Sequence, residues 1–365
     1  MQSTPSRPEP FWVSTTMRGD PLCFVDRGAG HAIASLLFPS AERLSLRSAT
    51  GDVEYEEGRD FLLDADAGLV TRAPESRIPL TRRHELYPST EPDGSAFMFK
   101  RGAPDTYLMF DEGDLFHRRQ VAATYTHPAG LWSGHVPRFR GADMPGTMRR
   151  LLAHDPLSIA ITGDSISEGY NASGFMAVPP YQPPYGALVA AGLTEAHGSD
   201  IALHNFAVAG WTADHGSADA ARVGAAKPDL VIVGFGMNDA GYATPDDFSA
   251  NIAGIIDEVR RSAPEAEFVL VSPMLPNPEW HYPVMERFGG YREALAALCA
   301  DGVVLADVTT VWTDLLSRKS VYDLTGNGIN HPNDFGHRVY AHVVLALLVE
   351  DVRTLVRPRT LFSAC

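Results

Sequence analysis

The chain has 365 residues, and at about 150 residues per domain this length predicts two domains rather than one. Its 30 Lys and Arg residues against 45 Asp and Glu residues give a net charge of -15, and a field of that sign repels a phosphate backbone, which argues against a nucleic acid partner. With 45% hydrophobic residues and a mean hydropathy of -0.10, the sequence also excludes a disordered chain and a polytopic membrane protein.

Residues 1–145 predict a β-sandwich domain that resembles a jelly roll. Short segments of strand character alternate with turn signals such as Thr50-Gly51-Asp52, and no long helical periodicity appears. Strands spaced by about 8 to 12 residues are typical of sandwiches. The predicted strands are Pro21 to Val25, Ala32 to Phe38, Arg43 to Arg47, Phe61 to Leu63, Ala96 to Lys100 and Thr106 to Phe110.

Residues 146–365 predict an α/β domain with a five-stranded parallel sheet. Each predicted strand is nearly continuous in apolar residues, as expected of strands that are buried on both faces. These strands are Leu157 to Thr162, Ile201 to Val208, Asp229 to Phe235, Glu267 to Ser272 and Val303 to Asp307. The predicted helices are Met148 to His154, Tyr185 to His197, Ala213 to Ala225, Asp246 to Ala263, Pro283 to Ala300 and Asp334 to Val352.

The spacing of the cysteines and of His331 and His337 argues against a metal site and against a disulfide framework. The cysteines Cys23, Cys299 and Cys365 are widely spaced and form no C-x-x-C pair. His331 and His337 are too far apart in sequence to share a helix face, so they do not form a metal-binding pair. We therefore expect no metal, no cofactor and no disulfide framework.

The sequence also lacks the signals of a membrane or secreted protein. No stretch of about 18 apolar residues occurs, and the N-terminal segment has no apolar signal-peptide core. We therefore expect no membrane partner and a cytoplasmic location. The oligomeric state stays open.

Four positions follow the carboxyl ends of the predicted parallel strands, where ligands bind in an open sheet. Ser165 follows the first strand at a glycine-flanked turn that exposes its hydroxyl, and Gly210 follows the second strand. Asn238 follows the third strand, and His331 lies in a loop after the last. Each residue alone has an ordinary structural explanation, such as a helix N-cap for Ser165. Together, in this order, they predict one shared site.

This pattern resembles the SGNH subgroup of the GDSL-type hydrolases. The resemblance rests on GDSIS at 163–167, N-x-x-x-x-G at 205–210, G-x-N-D at 236–239 and HPND at 331–334, and it covers roughly residues 155–355. It implies a flavodoxin-like, three-layer hydrolase domain. A β-sandwich ahead of such a domain is also similar to the two-domain carbohydrate acetylesterases.

The resemblance implies a serine esterase. Ser165 would attack an ester carbonyl, His331 would take its proton and return it to the leaving alcohol, and water would hydrolyse the acyl-enzyme. The oxyanion hole would consist of the backbone N–H groups of Ser165 and Gly210 and the side-chain amide of Asn238.

One position departs from the family pattern. The family places an aspartate three residues before the histidine, but here Gly328 stands at that position. Another group must therefore orient His331. The candidates are a backbone carbonyl of the loop 327–330, the side chains of Asn327 and Asn330, and Asp323 folding back. We favour a Ser-His pair oriented by a carbonyl or an amide.

The substrate is less constrained by the sequence. Tyr170, Trp211 and Trp280 lie in loops near the motifs, where aromatic rings either bind sugar rings or simply pack. Together with the similarity to acetylesterases, they favour removal of small acyl groups, acetyl above all, from a sugar or oligosaccharide. The alternatives are an acyltransferase and an esterase acting on a non-carbohydrate small-molecule ester. For the N-terminal domain we favour a lid or packing role over a carbohydrate-binding module or a dimer surface.

Overall fold

The computed structural model describes residues 9–26, 28, 32–90 and 98–351, and its N-terminal part is rich in antiparallel β-structure. The elements are β1 (Thr16–Cys23), β2 (Val25–Asp26), β3 (Ile33–Ser35), β4 (Glu42–Ser48), β5 (Glu54–Tyr55), β6 (Phe61–Asp64), β7 (Leu69–Arg72), β8 (Thr81–Arg82), α1 (Arg83–Leu86), β9 (Phe99–Lys100), β10 (Ala103–Tyr107), α2 (Leu115–Arg119) and β11 (Gln120–Thr126). The larger sheets have the antiparallel orders β1-β11-β4-β5 and β3-β7-β6. A β-rich N-terminal domain is thereby confirmed.

The predicted N-terminal strands overlap β1, β2, β3, β4, β6, β9 and β10. Ala96 and Phe97 of one predicted strand lie outside the described residues. The prediction misses β5, β7, β8 and β11, although β11 pairs with both β1 and β4. The segment of β11, QVAATYT, contains three small or polar residues in its centre, and alanine is a poor strand former, which hides the strand in the sequence.

The C-terminal part is an α/β domain with a parallel five-stranded sheet, as predicted. Its elements are α3 (Pro145–Ala153), β12 (Leu157–Gly163), α4 (Ser165–Glu168), α5 (Tyr185–His197), β13 (Ile201–Asn205), α6 (Ala213–Ala225), β14 (Leu230–Gly234), α7 (Pro245–Ser262), β15 (Glu267–Val271), α8 (Glu286–Ala297), β16 (Val303–Ala306), α9 (Val308–Leu316), α10 (Val321–Leu324) and α11 (Asp334–Leu348). The strand order β13-β12-β14-β15-β16 is flavodoxin-like. The expected fold class is confirmed.

Helices cover both faces of this sheet. Helices α5 and α11 pack together, while α7 packs against α6 and α8. Right-handed crossovers place α5 on one face and α6, α7 and α8 on the other, because the chain first moves from β12 to β13 and then returns across the sheet. The first and last residues of α5 and α6 agree with the prediction. Helix α9 was not predicted, because its Val and Thr residues disfavour a helix.

One strand differs from the predicted burial. The sequence predicts five strands that are covered on both faces, but β13 lies at the edge of the sheet, and its residues Ala202, His204 and Asn205 are exposed. The position of a strand in its sheet is decided by the pairing of distant segments, which local hydrophobicity does not report.

The topology creates a crevice beside the carboxyl end of β12. The chain leaves this strand toward β13 on one side, and β14 pairs on its other side, so β12 lies at the point where the strand order reverses. Open α/β sheets bind ligands at such points. Ser165 follows β12 directly and therefore lies at the crevice.

The N-terminal domain packs against the α/β domain through buried polar contacts. The fully buried Lys319 ammonium lies 3.0 Å from an Asp20 carboxylate oxygen and donates a 2.6 Å hydrogen bond to the Ser35 carbonyl. The Gln120 side-chain amide donates to the Tyr322 carbonyl at 2.8 Å. The domain boundary between residues 145 and 146 stays a prediction. Among the helices of the described residues, none has the length and apolar character needed to span a bilayer.

Candidate active site

The turn after β12 holds Ser165 in one geometry. A side chain at Gly163 would place its Cβ 2.4 Å from the Gly234 carbonyl oxygen, so the position requires glycine. The Asp164 carboxylate accepts the N–H of Ile166 at 3.0 Å and caps α4. Ser165 is the first residue of that helix, so its own N–H has no acceptor within the helix.

The loop between α10 and α11 places His331 next to Ser165. The Ser165 Oγ lies 2.8 Å from the His331 Nε2, and both side chains are buried. The Asn327 Oδ1 accepts the backbone N–H groups of Ile329, Asn330 and His331 at 3.0 to 3.1 Å. These hydrogen bonds hold the loop backbone, and with it the imidazole, in place.

The second ring nitrogen of His331 contacts a residue that the sequence analysis did not select. The His331 Nδ1 lies 2.9 Å from the Oδ1 of Asn171. Asn171 is six positions after Ser165 and adopts a left-handed backbone conformation with φ of 60°, which asparagine tolerates better than most residues. An asparagine just beyond the serine turn was the only signal available in the sequence.

The three side chains considered as orienters of His331 are engaged elsewhere, which corrects that part of the prediction. The Asp323 carboxylate accepts the backbone N–H groups of Cys23 at 2.6 Å and Ser320 at 2.8 Å. Asn327 holds the loop backbone and donates through its Nδ2 to the Asn330 Oδ1 at 2.9 Å. Asp323 thus serves the contact between the domains, and the two asparagines shape the loop instead of contacting the ring.

The structure also explains why glycine replaces the family aspartate. Gly328 has a positive φ of 80°, and a Cβ there would lie 2.3 Å from the Phe116 ring. Phe116 belongs to α2 of the N-terminal domain and is fully buried. The space next to Gly328 is therefore filled by the N-terminal domain.

The residues of the three predicted oxyanion donors, Ser165, Gly210 and Asn238, line one cavity together with His331. Among the described residues, none accepts a hydrogen bond from the N–H of Ser165 or Gly210. The Asn238 Nδ2 donates one hydrogen to the Trp211 carbonyl at 2.8 Å, which leaves its second hydrogen for a ligand. Gly210 has a φ of 78°, a conformation that glycine adopts without strain. Their role as an oxyanion hole stays a prediction.

The cavity has a volume of about 400 Å³ and is built by both domains. The N-terminal domain supplies one wall, and the α/β domain supplies aromatic residues in addition to Ser165 and His331. The N-terminal wall consists of Met98, Phe110 and Glu112, and the aromatic residues are Tyr170, Trp280 and Tyr282. Lys100 forms an ion pair with Glu279, which attaches the N-terminal wall to the loop that carries Trp280.

Two of the three predicted pocket aromatics line this cavity, and the third does not. Tyr170 and Trp280 are lining residues, and the Tyr170 ring is 5.3 Å from the His331 ring. The Trp211 ring instead stacks on His215, with ring centroids 6.0 Å apart. Trp211 reaches the site only through its backbone carbonyl, which accepts from Asn238. The prediction for Trp211 is corrected because a sequence position does not specify the side-chain direction.

Part of the chain matches a known protein family, and several solved structures are similar to it. Residues 161–339 match the model of the GDSL-like Lipase/Acylhydrolase family. These residues belong to that family. Among curated proteins, no sequence matches the chain significantly.

Solved structures similar to the chain include a two-domain esterase (CEX) active on acetylated mannans. The two sequences are 23% identical and the TM-score is 0.48. The match covers 60% of this chain and 56% of the esterase. Axe2, an acetylxylan esterase from Geobacillus stearothermophilus, is 20% identical with a TM-score of 0.42, and 55% of this chain and 95% of that chain are covered. The chain thus matches little more than half the length of the mannan esterase.

Burial shifts the pKa values of the ionisable groups around Ser165. Burial raises the pKa of Asp164 to about 7, so this carboxyl is only partly ionised at neutral pH, and it raises the pKa of Asp239 to about 6, which leaves that carboxyl mostly ionised. Burial, with the neighbouring His337, lowers the pKa of His331 to about 3. The imidazole is therefore neutral at physiological pH, as a proton acceptor must be.

Proposed function

We propose that the chain is a serine esterase that removes small acyl groups, acetyl above all, from a carbohydrate through an acyl-enzyme on Ser165. The observation that carries this proposal is the 2.8 Å contact between the Ser165 Oγ and the His331 Nε2 inside the cavity. A serine hydroxyl is a weak nucleophile unless an adjacent base removes its proton. A neutral imidazole at hydrogen-bond distance is such a base.

The proposed reaction has two steps. The Ser165 Oγ forms a bond to the ester carbonyl carbon while its proton passes to the His331 Nε2, and the negative oxygen is held by the N–H groups of Ser165, Gly210 and Asn238. The alcohol leaves with the proton from His331. Water then attacks the acyl-enzyme, gives its proton to His331, and releases the free acid and the serine hydroxyl.

The cavity supports a small acyl group and a polyhydroxylated alcohol. A volume of about 400 Å³ is near the lower end of the range of about 300 to 1,000 Å³ for ligand sites, and it must hold both parts of the ester. Trp280 stacks on Tyr282 with ring centroids 5.2 Å apart and offers an aromatic wall. Glu112 and Asn330 add polar groups that can bind hydroxyls. The Glu112 carboxylate also disfavours anionic esters.

We expect acetate esters to be the preferred substrates. The value of kcat/KM for p-nitrophenyl acetate should exceed that for the octanoate ester by about tenfold or more, because a long chain competes with the alcohol for the same space. The measurement compares the acetate, butyrate and octanoate esters and follows acetate release from O-acetylated oligosaccharides, with Ser165→Ala as the inactive control. A preference for octanoate would contradict the proposal. Acetate found on an added alcohol rather than in solution would indicate an acyltransferase.

We expect activity to persist well below pH 6.5. The low pKa of His331 keeps the imidazole neutral as the pH falls, so the acid limb of kcat/KM should lie below about pH 5. Because the unfolded chain binds this proton below about pH 6.5 and the folded chain does not, the free energy of unfolding should decrease over the same range. Initial rates give kcat/KM, and unfolding followed by circular dichroism gives the free energy of unfolding; both are measured from about pH 4.5 to 8. An acid limb centred near pH 6.5 would contradict the first expectation, and a free energy of unfolding that stays constant below about pH 6.5 would contradict the second.

A further inference from the structure

The hydrogen bonds of Asn171 define which way its amide points. The Asn171 Nδ2 lies 3.3 Å from the carbonyl oxygens of Glu112 and Gly113 and 3.4 Å from that of Gly326. Carbonyl oxygens only accept hydrogen bonds, so the side of the amide that faces them must carry the hydrogens. The Oδ1 therefore faces His331, where it lies 2.9 Å from the Nδ1.

This orientation decides the tautomer of His331. An amide oxygen only accepts, so the His331 Nδ1 must carry the hydrogen and donate it to Asn171. In a neutral imidazole the Nε2 is then unprotonated, and it is the atom that faces the Ser165 Oγ. We infer that Asn171 is the positioning residue of His331 and that it selects the tautomer able to accept the serine proton. This inference rests on the proposed function and deepens it.

The N-terminal domain takes part in this selection. Two of the three carbonyl groups that orient the Asn171 amide, those of Glu112 and Gly113, belong to the segment directly before α2. The same helix contributes Phe116, which fills the space beside Gly328. The N-terminal domain thus fills the space beside Gly328, where the family has an aspartate, and helps to orient the Asn171 amide.

An amide differs from a carboxylate in what it can do for the histidine. Both accept the Nδ1 hydrogen and hold the ring, but only a carboxylate adds a full negative charge that stabilises the imidazolium. Asn171 is buried and does not line the cavity, so it acts through His331 rather than on the substrate. Its loss should lower kcat and leave KM nearly unchanged.

The test compares Asn171→Ala and Asn171→Asp with Ser173→Ala. Ser173 is fully buried in the same loop, and its Oγ accepts the N–H of Gln182 at 2.8 Å without contacting His331, which makes it a matched control for disturbed packing. Nitrogen-15 NMR of histidine-labelled protein reports the tautomer, with His331→Gln used only to assign the signal. Active-site titration with a fluorophosphonate corrects kcat for the folded fraction.

We expect Asn171→Ala to lower kcat by about 100-fold or more, while KM for p-nitrophenyl acetate stays within about threefold of the wild-type value. In this variant the Nδ1–H tautomer of His331 should no longer predominate. Asn171→Asp keeps an acceptor toward the ring and should retain that tautomer and about a tenth or more of the wild-type kcat. Ser173→Ala should keep both the tautomer and kcat.

The two proposals fail in distinguishable ways. If Asn171→Ala retains the Nδ1–H tautomer and a kcat within about threefold of wild type, the positioning role is overturned while the esterase proposal stands. An equal loss of kcat in Ser173→Ala with no tautomer change in either variant would also overturn it, because disturbed packing would then explain the loss. If the wild type hydrolyses no ester, the proposed function fails, but the NMR spectra still decide whether Asn171 selects the tautomer.

Discussion

Replacing Ser165 by alanine is expected to lower kcat for acetate ester hydrolysis by about 10⁴-fold or more. The Ser165 Oγ is the group that would form the covalent bond to the acyl carbon, and alanine removes it while leaving the backbone N–H in place. Ser165 is buried, and among the described residues its Oγ forms a side-chain hydrogen bond only with the His331 Nε2, so the variant should fold normally. Steady-state rates and thermal unfolding measure the two effects separately.

Nearby variants make this result specific. Ser167 is a buried serine two positions later whose Oγ contacts the Tyr185 hydroxyl at 2.9 Å, so Ser167→Ala should keep most of the activity. Combining Ser165→Ala with His331→Ala should cost little more than either change alone, because the two residues act as one unit. Activity above about one hundredth of wild type in Ser165→Ala would refute the nucleophile assignment.

Asn238→Ala is expected to lower kcat by about 100- to 1,000-fold with a nearly normal melting temperature. The second hydrogen of the Asn238 Nδ2 would bind the oxygen that becomes negative in the transition state, so its loss affects the reaction more than substrate binding. The same nitrogen donates to the Trp211 carbonyl, and loss of that one hydrogen bond costs about 1 kcal/mol of stability.

Three measurements on Asn238→Ala separate catalysis from folding. These are kcat, KM and the thermal melt, each compared with wild type under the same conditions. A loss of kcat with an unchanged KM and an unchanged melting temperature supports the oxyanion role. A normal melt together with normal turnover would exclude Asn238 from the oxyanion hole, and a collapsed melt would assign it a structural role instead.

The sequence was most informative where the structure depends on neighbours in the chain. Helices α5 and α6 begin and end where their apolar periodicity and flanking residues predict. Ser165, Gly210, Asn238 and His331 were selected because each follows a predicted strand, and parallel strands place their carboxyl ends at one edge of a sheet. Local patterns together with one topological rule were therefore sufficient to predict the fold class and these four residues of the cavity.

The contacts that complete the site required the tertiary structure. Asn171 and His331 are separated by 160 positions, and Phe116 lies far before Gly328, so no local pattern relates them. The wall formed by the N-terminal domain and the stacking of the Trp211 ring on His215 arise in the same way. Periodicity and motifs report which residues are near each other along the chain, whereas the partner of a buried polar group depends on how distant segments pack around it.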